Sequence, residues 1–320
     1  MQKASTSSLE NQPIDSLRIE LVRNCILTRS QLLMTWKGVD RACWFENVPF
    51  KNFLQVNFMG AGSVVKNKLD YLEDRDDYFF VMNPWAKGYY HWLAEVAPKF
   101  FVFEKELRKG KILMPENRPG FITDFLETFG FDNIVNIKSN AFIKKLHAIT
   151  NPHTGHFDLE HMSNFRERVY SSLGITTRKG LRNYYLSRRK AATRRIVNEE
   201  EVVGMLSNYG FECITTDDAS LTDEVKLFSE CAILISPHGA GLTNELYMPP
   251  GSSVIELFPT FKHRETEFRA CFKRLCDVMG QTHSFVFCEH KVVGRKSDFR
   301  FDDIFVNTVE LKNVVERLLK

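Results

Sequence analysis

The residues best suited to chemistry are Ser236-Pro237-His238-Gly239-Ala240-Gly241-Leu242-Thr243-Asn244. The apolar run Ala232-Ile233-Leu234-Ile235 leads straight into them and reads as a buried strand. Glycines let a backbone approach a ligand closely. The helix start that follows offers unpaired N–H groups and a partial positive charge. Together these describe an anion site at the carboxyl end of a strand, where open α/β sheets bind ligands. His238 can add a donor to a phosphate oxygen, and Thr243 its hydroxyl. The plain alternative is a tight strand-to-helix turn with no ligand. A dinucleotide fingerprint, Gly-x-Gly-x-x-Gly with an acid about 20 residues on, fits less well. Glu256 lies at a suitable distance, but Asn244 stands at the third glycine and Pro249-Pro250-Gly251 cuts the helix short.

A second segment carries charge. The strand Asn183-Tyr184-Tyr185-Leu186 ends in Ser187-Arg188-Arg189-Lys190-Ala191-Ala192-Thr193-Arg194-Arg195, five cations within eight residues. Guanidinium forks suit bidentate contact with phosphate. A basic loop and a glycine loop at one sheet edge can clamp a diphosphate from two sides. Charge runs are more often solvated loops. A nucleic-acid patch fits poorly, because no interleaved aromatic residues follow the cations. Asn198 and Glu199 read as the cap of the next helix.

The third segment is Gly88-Tyr89-Tyr90-His91-Trp92-Leu93-Ala94-Glu95, at a strand-to-helix junction. His91 and Glu95 are four apart and share a helix face. Either can serve as a general base that takes a proton from an attacking hydroxyl, and the carboxylate can orient the imidazole. The alternative is an aromatic-rich helix start in which His91 bonds within the core. Asp74-Arg75-Asp76 reads as a solvated turn rather than a metal motif. His147, His153, His156 and His161 fit no zinc template. Asp302-Asp303 reads as the opening of the last helix.

These residues need elements to place them. Period-two alternation around Arg18–Val22 predicts strands from Leu17 to Phe58. From Tyr78 onward strands and helices alternate. Strands are expected at 78–82, 111–114, 133–137, 183–186, 213–215, 232–235 and 253–257. Helices are expected at 89–107, 119–129, 159–173, 199–209, 221–231 and 309–319, the helix at 221 with Thr222 as its N-cap. That alternation argues for parallel α/β sheets. The 320 residues are too many for one ordinary core of roughly 150. The division expected is a disordered lead-in (1–16), an N-terminal α/β domain (17–165) and a C-terminal α/β domain (166–320) whose last helix can pack back on the first. A net charge of +3 is too small to argue for nucleic acid. The seven cysteines include no C-x-x-C pair, and Cys213 and Cys231 read as small buried hydrophobes. A reduced, cytoplasmic chain is expected. No apolar stretch is long enough to span a membrane, so any membrane association is peripheral.

The three segments, taken together, resemble glycosyltransferase family 61, a two-domain GT-B group. The resemblance is carried by Tyr90-His91-Trp92-Leu93-Ala94-Glu95-Val96-Ala97-Pro98-Lys99, by Leu186-Ser187-Arg188-Arg189 with Arg195-Ile196-Val197-Asn198-Glu199, and by Ser236–Asn244 running on to Gly251-Ser252-Ser253-Val254-Ile255-Glu256-Leu257. They occur in the family's order over residues 78–260. The resemblance implies an α/β fold of GT-B architecture, two Rossmann-like domains facing each other across a cleft. It implies a nucleotide-sugar donor, a UDP-sugar, on the C-terminal domain and a glycan or glycoconjugate acceptor on the N-terminal side. The reaction implied is inverting, with no essential metal and no cofactor. Arg188, Arg189 and Arg195 would contact the diphosphate. His238, Gly239, Ala240, Gly241, Leu242 and Thr243 would lie beside it, and Glu256 would reach the ribose hydroxyls. Glu95 stands where the family often has aspartate, and Glu95 or His91 would take the acceptor's proton. The competing expectation is a non-catalytic protein that only binds a nucleotide or glycan.

Overall fold

A computed structural model of the protein describes residues 17–43, 57, 60–62, 64–73, 75–151, 154–176, 180–260, 270–291 and 302–320. The lead-in 1–16, Asp74 and His153 lie outside the described residues. The chain is mixed α/β with two sheets. It divides into two compact units. One comprises the described residues of Met1–Pro84, Gly110–Pro115 and Val135–His156, and the other those of Trp85–Lys109, Glu116–Ile134 and Phe157–Lys320.

The first sheet is built from β1 (Ile19–Leu27), β2 (Leu33–Thr35), β3 (Gly38–Val39), β4 (Leu69–Tyr71), β5 (Tyr78–Phe80), β6 (Lys111–Pro115), β7 (Ile134–Ile137) and β8 (Asn140–Ile149). Its order is β3-β2-β1-β8-β5-β6-β7, with β4 also paired to β8. β5 runs parallel to β6 and β8, but β1 is antiparallel to β8 along its length, from Ile19 opposite Ile149 to Leu27 opposite Ala141. The sheet is therefore mixed, where alternation alone predicts a parallel one. Strand β8 was not expected. It pairs on both sides, and its Lys144-Lys145 pair breaks the period-two pattern by which a strand is recognised.

The second sheet contains β9 (Arg182–Leu186), β10 (Phe211–Ile214), β11 (Cys231–Pro237), β12 (Ser253–Pro259), β13 (Thr282–Lys291) and β14 (Asp303–Phe305), in the order β10-β9-β11-β12-β13-β14. Strands β10 to β13 are parallel, and β14 pairs antiparallel with the far end of β13. From β9 the chain steps to β10 on one side and then to β11 on the other. This reversal is the switch point at which an open α/β sheet leaves a crevice beyond its strand ends. The loops after β9 and β11 are the basic and glycine segments, so the topology alone brings them together. One face of the sheet packs Tyr185, Ile235 and Ile255 against Val202 and Leu206 of helix Glu199–Ser207 and Leu311 and Val315 of helix Thr308–Leu318.

Several local expectations change. Ser220, not Thr222, caps helix Leu221–Ser229 by accepting from the Asp223 N–H. Asp303 opens β14, and Asn307 caps the last helix through the Val309 and Glu310 N–H groups. The Asn198 side chain makes no cap; it donates to the Val306 carbonyl and accepts from its N–H. Cys231 is buried, but Cys213 is exposed on edge strand β10. The stretch expected as one helix from Tyr89 to Leu107 is a short α-helix (Tyr89–His91), a π turn (Trp92–Val96) and two further short helices (Ala97–Val102 and Glu104–Leu107). Ala97 N–H bonds to the Trp92 carbonyl, five residues back. Pro98 follows at once and has no N–H to offer the ladder.

Candidate functional site

The glycine loop does not open an α-helix. Ala240–Tyr247 winds as a 3₁₀ helix, tighter than the α-helix the sequence suggests. Leu242, Thr243 and Leu246 are wholly buried, and the Thr243 hydroxyl donates to the Ala240 carbonyl at 2.7 Å, inside its own turn. Helix Leu159–Ser172 fixes the far end, with Arg166 Nη1 donating to the Met248 carbonyl at 3.0 Å and the Tyr170 hydroxyl donating to the Tyr247 carbonyl. Gly239 and Gly241 are glycines because of close approach. A Cβ on Gly239 would lie 2.3 Å from Arg188 Nη1, and one on Gly241 2.9 Å from Leu186 Cδ2.

The Arg188 guanidinium therefore lies directly on the glycine loop, as the pairing of the two segments predicts. Burial first, then the neighbouring Arg194, lowers its pKa to about 10, so it stays charged at neutral pH. Its Nη2 donates to the Thr193 carbonyl at 3.4 Å. The Nε atoms of Arg188 and Arg194 are both buried and have no hydrogen-bond partner among the described residues. A buried guanidinium N–H without a partner favours an anion beside it, because leaving it unmet is costly. Arg194 also holds φ at 58°, in the left-handed region that non-glycine residues seldom take.

The other two arginines are occupied elsewhere. Arg195 Nη2 lies 3.0 Å from Asp303 Oδ2, and its N–H donates to Oδ1 at 2.9 Å. Arg189 Nε lies 3.5 Å from Glu199 Oε2 and donates to Ser187 Oγ at 3.2 Å. Glu199 also accepts from the Ser187 and Tyr185 hydroxyls, both at 2.7 Å, and so shapes the basic loop instead of capping a helix. Arg194, not among the residues expected at the site, has the same unmet Nε as Arg188. It stands in the same charge run as Arg195, and only the turn of the loop distinguishes them.

Glu256 is fully buried beneath the loop. One carboxylate oxygen pairs with His238 Nδ1, and the other lies 3.0 Å from His283 Nε2. Burial alone would push its carboxyl up, but the hydrogen bonds and charge of the two imidazoles outweigh this and hold it below the usual carboxylate range.

Beside Arg188 and Gly241 lies a cavity of about 610 Å³, wholly within the second unit. Its walls include Tyr89, Trp92 and Leu93 from the 89–96 segment, Asp124 from helix Gly120–Thr128, and Asp217 and Glu224. The Tyr89 hydroxyl lies 2.7 Å from Glu224 Oε2 and 2.6 Å from Asn244 Oδ1. It has one proton to give. The pattern closes when that proton goes to Glu224 and Asn244 turns its amide nitrogen, otherwise without a partner, toward the hydroxyl. Burial pushes the Glu224 carboxyl up to about 7, against the lowering pull of hydrogen bonding, chiefly that from Tyr89. Asp124 Oδ2 accepts from the Leu221 N–H at 2.7 Å. Neither Glu224 nor Asp124 is marked as a site residue by its sequence neighbours, since both read as ordinary polar positions on helices.

His91 and Glu95 do not line this cavity. His91 Nδ1 lies 2.8 Å from Glu95 Oε2, and the imidazole packs beside Trp85 and Tyr90. The Glu95 side chain is 5% exposed and that of His91 28%. One turn further, Lys99 is fully buried. Burial pushes its ammonium down to about 7, against the raising influence of Glu95. The expected pair thus exists as a pair, on a different face of the helix start from Tyr89, Trp92 and Leu93.

His147 lies 3.4 Å from Asp77 and stacks on Phe79, and His161 lies 3.6 Å from Asp158. Among the described residues no three His, Cys, Asp or Glu side chains are grouped to hold a metal ion. No described helix is long and apolar enough to cross a membrane.

Comparison with known proteins adds the family. The chain is 26% identical to the Xenopus laevis protein O-linked-mannose beta-1,4-N-acetylglucosaminyltransferase 2 over 191 residues, 58% of this chain and 31% of that protein. The human and mouse counterparts are 34% and 35% identical over 79 residues, 24% of this chain and 14% of theirs. The chain thus spans less than a third of the length of these relatives. The glycosyltransferase 61 profile matches residues 89–255, which is just over half of the 320 residues and takes in the 89–96 segment, the basic loop and the glycine loop. With these motifs in the family's order, the chain belongs to the glycosyltransferase 61 family.

Proposed function

We propose that the protein transfers a sugar from a nucleoside diphosphate donor, a UDP-sugar, to a hydroxyl of a glycan or glycoconjugate, with inversion at the anomeric carbon. One observation carries this reading: Arg188 lies half-buried and still charged on the Gly239 backbone, its buried Nε unmet, in the wall of a cavity large enough for a nucleotide. Charge that develops on the leaving diphosphate is stabilised there by Arg188, Arg194 and the loop amides. These fixed cations serve where other transferases use a metal. The His91–Glu95 pair is the proposed base, with Glu95 orienting the imidazole or taking the proton itself. The names of the relatives make N-acetylglucosamine the first sugar to test. The GT-B arrangement, with an acceptor-side domain over 17–165 and a donor-side domain over 166–320, and a cytoplasmic location with peripheral membrane contact, belong to the same proposal.

The test is a thermal-shift and turnover panel of nucleotides and nucleotide sugars on the full chain. Binding of a nucleoside diphosphate raises the melting temperature by mass action. Arg188→Ala is expected to abolish that shift, while Glu95→Gln keeps the shift and loses turnover. Turnover should survive excess chelator. Full turnover in both variants overturns the proposal. Nucleotide binding without turnover by the wild type, across the panel, favours the non-catalytic alternative.

A further inference from the structure

Glu256 was expected at the ribose hydroxyls, yet both its oxygens are taken by imidazoles and its side chain is closed to solvent. A carboxylate only accepts, so His238 carries a proton on Nδ1 and His283 one on Nε2. The His238 ring is held further by edge contacts with Phe258 at 4.8 Å and Phe272 at 5.6 Å. Its side chain remains 21% exposed, and Nε2 has no protein partner among the described residues. His283, by contrast, is fully buried and its Nδ1 is unmet, so it can only brace Glu256 from behind.

We propose that Glu256 is a positioning residue: it turns the Nδ1–H of His238 inward so that Nε2 faces the diphosphate site beside Gly239 and Arg188 and donates a hydrogen bond to a leaving-group oxygen. The inference rests on the transferase reading and deepens it. As the acceptor oxygen bonds to the anomeric carbon, the bond from that carbon to the diphosphate oxygen breaks and its electron pair stays on the oxygen. The acceptor's proton goes to the base. His238 keeps its own protons and contributes a charge-assisted hydrogen bond. With diphosphate bound the ring carries both protons, one shared with Glu256 and one with the ligand. The other groups that act on this centre are Arg194 from the basic loop, Glu245 from the 3₁₀ turn, and Cys271 and Cys276 from helix Cys271–Met279. Burial first, then the Glu256 charge, pushes the Glu245 carboxyl well up.

Two measurements on the full chain test this. In the unliganded protein, side-chain ¹⁵N spectra of histidine should show His238 protonated on Nδ1. UDP binding is measured beside them. His238→Asn keeps an amide donor for Glu256 but has no Nε2 edge. It should bind UDP about tenfold more weakly. Glu256→Gln, whose amide can donate as well as accept, should lose the fixed Nδ1–H tautomer in the ¹⁵N spectra. If His238→Asn binds UDP with the wild-type affinity, or if the ¹⁵N spectra show His238 protonated on Nε2 alone, the proposal is overturned. If the wild type binds no UDP, the transferase reading falls, and the ¹⁵N spectra still decide the role of Glu256.

Discussion

Gly239 and Arg188 illustrate what a single atom decides. The backbone at Gly239 is extended, with φ at 166°, a conformation open to any residue, so nothing in its dihedral angles demands glycine. The demand comes from the guanidinium lying 2.3 Å from where a Cβ would be. Gly239→Ala should therefore displace the flexible end of Arg188 at little cost to stability. The expected result is a melting temperature within about 2 °C of wild type, a shift of under about 1 kcal/mol, with UDP affinity reduced at least about tenfold. Retained affinity would show that Arg188 is not the diphosphate ligand. The pairing of these two loops was legible in the sequence because charge and glycine content do not depend on register. Which arginine does what was not legible. Arg194 and Arg195 are adjacent and chemically alike, and the left-handed turn at Arg194 sends one guanidinium inward and leaves the other to Asp303. Glu256 was misread for a related reason: its partner His283 comes from β13, a strand the sequence did not announce.

Among the elements, helices Gly120–Thr128 and Leu221–Ser229 are tied by a hydrogen bond, Asp124 Oδ2 accepting the Leu221 N–H at 2.7 Å. Asp124 satisfies one of the N–H groups that a helix start leaves open. Both helices contribute walls of the cavity, so the contact sets its width as well as the helix end. Asp124→Ala should lower stability by about 1–2 kcal/mol and weaken UDP binding. Asp124→Asn, which keeps an acceptor oxygen, should recover most of the stability in urea titrations. Equal losses in the two variants would mean that the charge matters and the acceptor does not. Most helices and the buried parallel strands were visible as periodicity and as clean stops at Gly130 and Gly210, both with positive φ. The π turn, the 3₁₀ turn and β8 were not. The 3₁₀ turn and β8 depend on neighbours that local pattern does not contain, a docking helix at 159–172 and strands on both sides of Asn140–Ile149, while the π turn is how the chain accommodates the N–H that Pro98 lacks.

At the scale of the whole molecule, two buried ionisable groups leave opposite marks on stability. Glu224 titrates near 7 when folded, against an ordinary value of 4.5, chiefly because burial disfavours its charge. Between those values the unfolded chain has released the proton and the folded protein keeps it, so stability falls as the pH rises. Lys99 titrates near 7 when folded, against 10.5, also through burial. Between 7 and 10.5 the unfolded chain holds the proton that the folded protein has released, so stability rises with pH. The two contributions are jointly least favourable near pH 7, where they amount to roughly 3 kcal/mol for Glu224 and roughly 4 kcal/mol for Lys99 at about 1.4 kcal/mol per pH unit. Glu224→Gln keeps an acceptor for Tyr89, and Lys99→Met keeps the shape of the chain. In urea titrations of the unliganded protein, the advantage of Glu224→Gln over wild type should open between pH 4.5 and 7 and then stay level. The advantage of Lys99→Met should be largest at and below pH 7 and close toward pH 10.5. Differences that do not vary with pH would mean that neither group is shifted. A protein with both of these groups beside its proposed donor and base sites holds them at a cost to its own stability, which is the expected signature of groups placed for function.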